Sequence, residues 1–388
     1  GYVKYDFANA DYILSFGSKL IEGWGDAVAM RKEFLNWKKK NVKIVQADSV
    51  CTRSGSIATE FVGIKPGTEA VLAFGMANYL ITGKRMTSSG EEFAKWSQII
   101  INKYPLSKVA QLTGISEDRI KKIADEFAAS KNPVAVAGKG GYGVTASSAE
   151  IIAVYCLNTL VKSRAAALVK NSSVSYDAEF AGLDKFIKDG SFSILLLNDS
   201  NPVYKSVLGD DMKKKMEKAF VVAIAPLIND SAAFADYILP PLSYLEAETP
   251  GNKPAVKSVK ETKDAKEIII TLAGMIDKTK NALPKNAADA YKIIGRETAS
   301  SARFSFNVDK IKADIEAYEK KLGPNAEYPV SLVPYEVPLV GDGDGLAFPY
   351  VLKSIDASVM NVGKFYVLMN KETGKKYGFS EGSSIKIS

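Results

Sequence analysis

The stretch FVVAIAPLINDSAAFADYILPPLSYLE, residues 220–246, decides how the chain is read. It opens on five apolar residues, Phe220–Ile224, and a near-continuous apolar run of this length suits a strand buried on both faces of a parallel sheet. Asn229-Asp230-Ser231 then interrupts with side chains that favour turns and helix N-caps. Residues 235–239, ADYIL, form a further apolar run. It is closed by Pro240-Pro241, which cannot donate to a sheet ladder. The pentapeptide ADYIL also occupies residues 10–14, although five residues are too few to establish a repeat.

The same grammar extends outward. Upstream, residues 192–197 (FSILLL) form a strand that ends at Asn198-Asp199-Ser200-Asn201-Pro202. Nearer the start, residues 11–16 (DYILSF) end in Gly17, and residues 43–46 (KIVQ) run to Ala47-Asp48. A short strand follows near residues 60–64, and Pro66-Gly67-Thr68 turns into a helix over 69–80. Residues 24–39 carry helical apolar spacing, with Val28, Phe34, Leu35 and Trp37 expected on one side. Residues 88–132 read as mostly helical, with Ser116 as N-cap of a helix over 117–129 and Asp118 in its first turn. Pro133 breaks that pattern, VAVA at 134–137 is a buried strand, and a glycine-rich turn at 138–143 leads to a helix over 147–160.

Alternating strands and helices with short connections predict an α/β fold with two doubly wound, mostly parallel-sheet units of the dinucleotide-binding type. Beyond residue 253 the chain becomes polar and Lys/Ala/Asp-rich. A Pro- and Gly-rich linker covers 324–338 and 341–345, and the tail from 348 alternates apolar and polar residues. The expected organisation is a first unit at 1–185, a second with a polar helical extension at 186–340, and the start of a C-terminal β-barrel at 341–388.

Composition removes several function classes. The 388 residues carry 51 basic and 44 acidic side chains, a net charge of +7, with 46% hydrophobic and 24% charged residues. The lysines are scattered, with short clusters at 38–40 and 213–215, which describes a solvated surface better than a nucleic-acid footprint. Histidine is absent, which excludes a histidine general base, Ser-His-Asp or Cys-His catalysis, and His-ligated zinc or haem iron. Cys51 and Cys156 are too far apart in sequence for metal-ligand spacing, and an iron–sulfur cluster ordinarily takes four cysteines. The chain is therefore expected to hold no iron–sulfur cluster, haem or metal ligand, and no catalytic residue is assigned. No apolar run reaches the roughly 18 residues of a membrane span. The opening residues lack the features of a signal peptide, so the chain is expected to be cytoplasmic or exported after processing.

Open α/β sheets bind ligands beyond the carboxyl ends of their strands, where loops and helix N-termini present backbone N–H groups. Four such loops have suitable residues: Gly17-Ser18, Asp48, the turn at 138–143, and 198–202. Taken singly, a glycine turn is ordinary turn chemistry, Asp48 a turn aspartate and Asp230 a helix N-cap. GxxxxGK[ST] does not occur, and the G-x-G-x-x-G spacing at 138–143 lacks the acidic residue about 20 residues further on that completes its context, so a simple Rossmann or P-loop reading fails.

Their order carries more. NADYILSFG (residues 9–17), KIVQADSVCTRSGSIATEFVGIKPGTE (43–69), the helix before VAVAGKGG, ILLLNDSNP (194–202) and the 220–246 segment resemble, collinearly, the large subunit of the molybdopterin oxidoreductases, the dimethyl sulfoxide reductase superfamily. The corresponding family motifs are the opening strand and glycine turn, D-P-R with P-G-T-D, G-x-N-P, and T-E-T-A-x-x-A-D-x-x-L-P. Residues 367–387 resemble the first strands of its C-terminal barrel. The resemblance implies two pseudo-equivalent sites for the arms of a bis(molybdopterin guanine dinucleotide) cofactor. Carried over by position, Gly17, Ser18, Asp48, Thr52, Gly67, Thr68 and Glu69 line one arm. Gly138, Gly140, Asn198, Asn201 and Asp230 lie near the other, with Asp236 in a packing role.

The departures are specific. Asp48-Ser49-Val50 stands where the family has D-P-R, so the arginine is lost. Thr59 replaces the aspartate of A-D, and Thr249-Pro250-Gly251-Asn252 replaces G-T-x-x-N. The resemblance implies an oxidoreductase subunit of a respiratory complex, with an iron–sulfur electron-transfer subunit and a membrane-anchor subunit as partners. The resemblance implies no nucleic-acid partner and a location on the periplasmic side of a membrane, with the cytoplasm as the other option. The alternative is a cofactor-free scaffold of the kind found in menaquinone reductase and alternative complex III.

Overall fold

The computed structural model describes residues 2–84, 86, 90–138, 147–170, 179–248, 253–258, 261–276, 284, 286, 289, 300–301, 307–320, 322, 330–333, 349–355 and 366–385. The chain separates into two compact units, residues 1–334 and 335–388, and among the described residues the sheets lie in the first.

Strand β1 (Tyr2–Tyr5) is followed by β2 (Tyr12–Phe16), α1 (Ala27–Lys40), β3 (Lys43–Asp48), the single turn of α2 (Arg53–Ile57) and β4 (Glu60–Gly63). Helices α3 (Glu69–Thr82), α4 (Glu91–Lys103), α5 (Leu106–Thr113) and α6 (Glu117–Ala129) precede β5 (Pro133–Ala137), α7 (Ser148–Leu160) and β6 (Ala166–Lys170). Strands β2 to β5 make a parallel sheet in the order β4-β3-β2-β5, with Leu14 opposite both Val45 and Ala135. The apolar runs read from sequence are these strands, and β3 extends two residues further, to Asp48.

Alternation along β2 divides the core. Tyr12, Leu14 and Phe16 pack with α3, α6 and α7 side chains such as Phe74, Phe127 and Leu157, while Ile13 joins Val134, Val136, Met30 and Trp37 on the α1 side. Both faces are covered, as a parallel sheet requires. Helix α6 starts where expected, with the Ser116 hydroxyl accepting from Arg119 N at 3.3 Å. Helix α1 is capped by Asp26, which accepts from Ala29 N at 2.8 Å, and it ends at Asn41 in the left-handed region with φ 53°.

Its buried side differs from the expected one. Trp37 and Met30 are buried, whereas Val28 and Leu35 are 81% and 59% exposed. The sheet lies under Met30 and Trp37, seven residues apart, so a second apolar stripe on α1 is left outside the core.

Edge strand β5 is finished by a side chain. Asn158, buried in α7, accepts from Ala135 N and donates to Ala135 O, both at 2.8 Å, so its amide imitates a neighbouring strand.

After α8 (Glu179–Asp189), strands β7 (Ile194–Asn198), β8 (Phe220–Ile224) and β9 (Tyr237–Leu239) form a second parallel sheet, with α9 (Pro202–Lys205) and α10 (Gly209–Met216) between β7 and β8. Its core of Leu197, Val221, Ala223, Met212, Met216 and Ile187 lies on one face. On the other face Ile194, Leu196, Phe220 and Tyr237 are exposed while Ile224 is fully buried, so among the described residues that side is covered only in part. The two ADYIL segments share a function despite this. Asp11 accepts from Asn132 N at 2.9 Å, beside the start of β5, and Asp236 accepts from Val221 N at 2.7 Å in β8.

Helix α11 (Ala265–Gly274) follows, then β10 (Ser300–Ser301) and α12 (Val308–Glu319). Strands β1, β6 and β10 form a small antiparallel sheet that periodicity did not reveal. In the second unit, α13 (Pro349–Ser354) and α14 (Lys371–Lys376) are helical. The expected barrel strands are corrected at 371–376. The Asn370 side chain caps α14 by accepting from Glu372 N at 2.9 Å, and Glu372 and Lys375 sit at the ends the helix dipole favours. Among the described residues no helix is long and apolar enough to cross a membrane.

Candidate functional site

The carboxyl ends of β2, β3 and β5 bring several expected residues together. Gly17 ends β2 with φ 63°, and its N–H donates to Ala47 O at 2.8 Å. A side chain is strained there, so glycine suits the turn. Ser18 is fully buried and donates from its hydroxyl to Val136 O at 3.4 Å. Gly138, φ 105°, follows β5, so it belongs to the same sheet as Gly17 rather than to the sheet that carries Asn198. Gly140 lies outside the described residues.

Asp48 is buried at the end of β3. Its Oδ1 accepts from Ser49 N at 2.7 Å, and Oδ2 accepts from Gln46 Nε2 at 3.4 Å. Gln46 itself is fully buried, and its Oε1 has no hydrogen-bond partner among the described residues. A buried orphan acceptor is rare and calls for a donor to satisfy it.

Thr52 does not cap α2 with its side chain. Its hydroxyl donates to Glu22 Oε2 at 2.7 Å. Glu22 also accepts from Ser54 N and Ser54 Oγ, both at 2.8 Å, and from Arg53 N at 3.3 Å, while Ile21 N donates to Ser54 Oγ. Burial alone would raise the Glu22 pKa, but these hydrogen bonds outweigh it and hold the carboxyl below its ordinary value of 4.5. The clamp joins the loop after β2 to the loop after β3.

The third feature is acidic. Gly67 has φ 76°, and the Thr68 hydroxyl donates to Lys65 O at 2.6 Å. Glu69 opens α3 and is 2% exposed; Glu150, in the first turn of α7, is 4% exposed. The Tyr318 hydroxyl from α12 donates to Gly67 O. Burial, followed by the negative charges of Glu69 and Glu150, raises the Tyr318 phenol well above its ordinary value. The sequence reading missed Glu22, Gln46, Glu150 and Tyr318. Only Glu150 had a local sign, as the last residue of the S-x-x-E capping spacing Ser147–Glu150, where Ser147 Oγ accepts from Glu150 N at 3.1 Å.

At the second sheet, Asn201 is the organiser. It is 5% exposed, its Oδ1 accepts from Ser231 N at 3.0 Å and Ser231 Oγ at 2.9 Å, and its Nδ2 donates to Asp230 Oδ2 at 3.1 Å. The loop after β7 is thereby tied to the loop after β8. Asn198 stands at the exposed end of β7, and Asp199 beside it is left-handed with φ 44°.

Asp48, Glu69 and the orphaned Gln46 oxygen make the first mouth rich in acceptors, which fits the N–H edge of a guanine. The amides of Arg53 and Ser54, which would suit a phosphate, already serve Glu22. What this mouth offers is therefore a set of acceptors, suited to a ligand edge that carries N–H donors.

A family model described as molybdopterin oxidoreductase matches residues 3–275. Among curated proteins, the chain is 24% identical over 443 residues to the menaquinone reductase, molybdopterin-binding-like subunit of Nitratidesulfovibrio vulgaris, covering 100% of this chain and 62% of that protein. It is 25% identical over 304 residues to the thiosulfate reductase molybdopterin-containing subunit of Salmonella typhimurium, covering 64% of this chain and 39% of that one. The chain thus spans less than two thirds of the length of either relative. Among solved structures, acetylene hydratase from Pelobacter acetylenicus superposes with a TM-score of 0.63 at 17% identity, over 83% of this chain and 53% of that one, a likeness of fold.

Proposed function

The chain belongs to the molybdopterin oxidoreductase family, and from that premise we propose that it is the large-subunit portion of a respiratory electron-transfer complex. In this reading it holds a bis(molybdopterin guanine dinucleotide) cofactor between its two parallel-sheet regions. The observation that carries the reading is the pair of polar clusters at strand ends: buried Asp48 and Glu69 at the first sheet, and Asn201 bonded to Asp230 at the second. Asp48, Glu69 and Gln46 would hold one guanine, with Asn198, Asn201 and Asp230 holding the other. The bound cofactor supplies the redox chemistry, while these residues bind and orient it. The partners in this proposal are an iron–sulfur subunit and a membrane-anchor subunit, with the assembly on the periplasmic side.

A second reading, a cofactor-free scaffold in a quinone-linked membrane complex, has its own support. Val50 stands in place of the family arginine and is 44% exposed. The first curated relative is itself named molybdopterin-binding-like. The intact complex decides between the two. Acid extraction should release a fluorescent pterin and GMP from the cofactor-bound form. An assembled complex that releases neither overturns the first reading and leaves the second standing.

A further inference from the structure

We propose that the groove between α1 and α2 docks an acidic, amphipathic segment of a partner subunit. The groove is a surface depression of about 520 Å³ lined by Ile21, Phe34, Leu35, Ile57 and the cations Arg31, Lys32 and Arg53, with Ser56. It lies on the stripe of α1 that the core leaves outside. Val28, Arg31, Lys32 and Leu35 recur at i, i+3, i+4 and i+7, and so share one helical face. Leucine and valine at 59% and 81% exposure make this an apolar stripe open to solvent.

The charge on the groove points to the occupant. Several other cations meet carboxylates: Arg119 pairs with Glu60 at 2.7 Å, Lys43 with Glu126 at 2.6 Å, and Lys103 with Glu319 at 3.3 Å. Among the described residues none of Arg31, Lys32 and Arg53 has an ion pair. The nearby carboxylates are engaged. Asp26 caps α1, Glu33 accepts from Asn36, and Glu22 is occupied by Thr52, Arg53 and Ser54. Arginine is weakly hydrated for a cation and presents a planar fork to carboxylates, which is why it is enriched at protein interfaces, as are aromatic residues such as Phe34. An occupant with carboxylates for the three cations and apolar side chains for Leu35, Phe34 and the isoleucines matches both halves of the surface.

The groove is also preorganised. Glu22 fixes Ser54 and the start of α2, and Ile21 N is bonded to Ser54 Oγ, so one wall is held before anything binds. Prior ordering reduces the entropy lost on association. The groove adjoins the Glu22 clamp but uses none of Asp48, Glu69, Asn201 or Asp230, so the inference stands whether or not the cofactor reading does.

Fluorescence anisotropy on the full chain tests it. The probe is a labelled peptide with leucines at helical i, i+3, i+4 and i+7 spacing and glutamates between them. Controls are the same peptide with serine for leucine, phosphatidylglycerol vesicles and inorganic phosphate. The leucine peptide should bind, more weakly as salt is raised. R31E/R53E should weaken it roughly tenfold or more, and Leu35→Ser should weaken it as well. K213E/K214E, a matched charge reversal outside the groove, should leave binding unchanged, and circular dichroism of each variant verifies folding. Four results overturn the proposal: no peptide binding, equal binding of the serine peptide, insensitivity to R31E/R53E, or displacement of the peptide by vesicles or phosphate.

Discussion

The carboxylate of Glu22 accepts hydrogen bonds of 2.8 Å from both the backbone amide and the hydroxyl of Ser54, so one side chain secures the turn between β3 and β4 to the loop after β2. Charge-assisted bonds of this kind contribute more than neutral ones. Glu22→Ala is expected to cost about 1–3 kcal/mol, read as a lowered thermal midpoint. The pH dependence has a definite sign. The folded pKa of Glu22 is held below the ordinary 4.5, so its contribution is present above that value and is lost as pH falls through the folded pKa. The midpoint difference between wild type and Glu22→Gln should therefore shrink below pH 4.5 and stay constant above it.

Asn158 completes an edge strand with its side chain, and removing it leaves the buried Ala135 amide and carbonyl without that partner. Asn158→Ala should cost roughly 2–4 kcal/mol. Hydrogen exchange is the sharper readout. The Ala135 amide should lose protection in the variant more than amides in β3, and equal loss across the sheet would contradict the edge-capping role.

Gly75 in α3 sits against α5. A Cβ there would lie 2.6 Å from Val109 Cγ1 and 2.8 Å from Cγ2. Alanine gains up to about 1 kcal/mol of helix propensity over glycine, but overpacking costs about 1–3 kcal/mol, so Gly75→Ala should destabilise. Adding Val109→Ala removes the obstructing methyl groups and should recover part of the loss. Denaturation midpoints of the two single variants and the double variant measure that coupling.

Asn201→Asp keeps an acceptor for Ser231 but sets a second carboxylate beside Asp230 in place of the present 3.1 Å hydrogen bond. Like charges at this distance disfavour joint ionisation. The variant should be about 1–2 kcal/mol less stable than wild type at neutral pH. The deficit should narrow as pH drops into the carboxylate range near 4. A pH-independent deficit would mean that the two side chains do not face each other.

Sequence reading identified much of the local structure. The apolar runs became β2, β3, β5, β7, β8 and β9, and Ser116 caps the helix expected of it. The glycine turns at 17, 67 and 138 all have positive φ. Of the candidate site, Asp48, Thr68 and Glu69 are buried at strand or helix ends, and Asn201 meets Asp230. The misses involve partners far apart in sequence. Glu22 meets Ser54, and Tyr318 meets Gly67 across 251 residues. Helix α14 was misread because short alternation resembles a strand, and the Asn370 cap outweighed it.

The sequence by itself determined which apolar runs become the parallel strands, which turns need glycine, and the residue order that places the chain in its family. These depend on local backbone preference and on the apolar period, both of which act over a few residues. Tertiary structure alone decided the order β4-β3-β2-β5, the place of Gly138 beside Gly17, and the fate of identical segments. Tyr12 and Tyr237 stand in the same pentapeptide, yet one is 3% and the other 62% exposed. Burial depends on what packs over a residue, and the packing partners are brought there by distant parts of the chain.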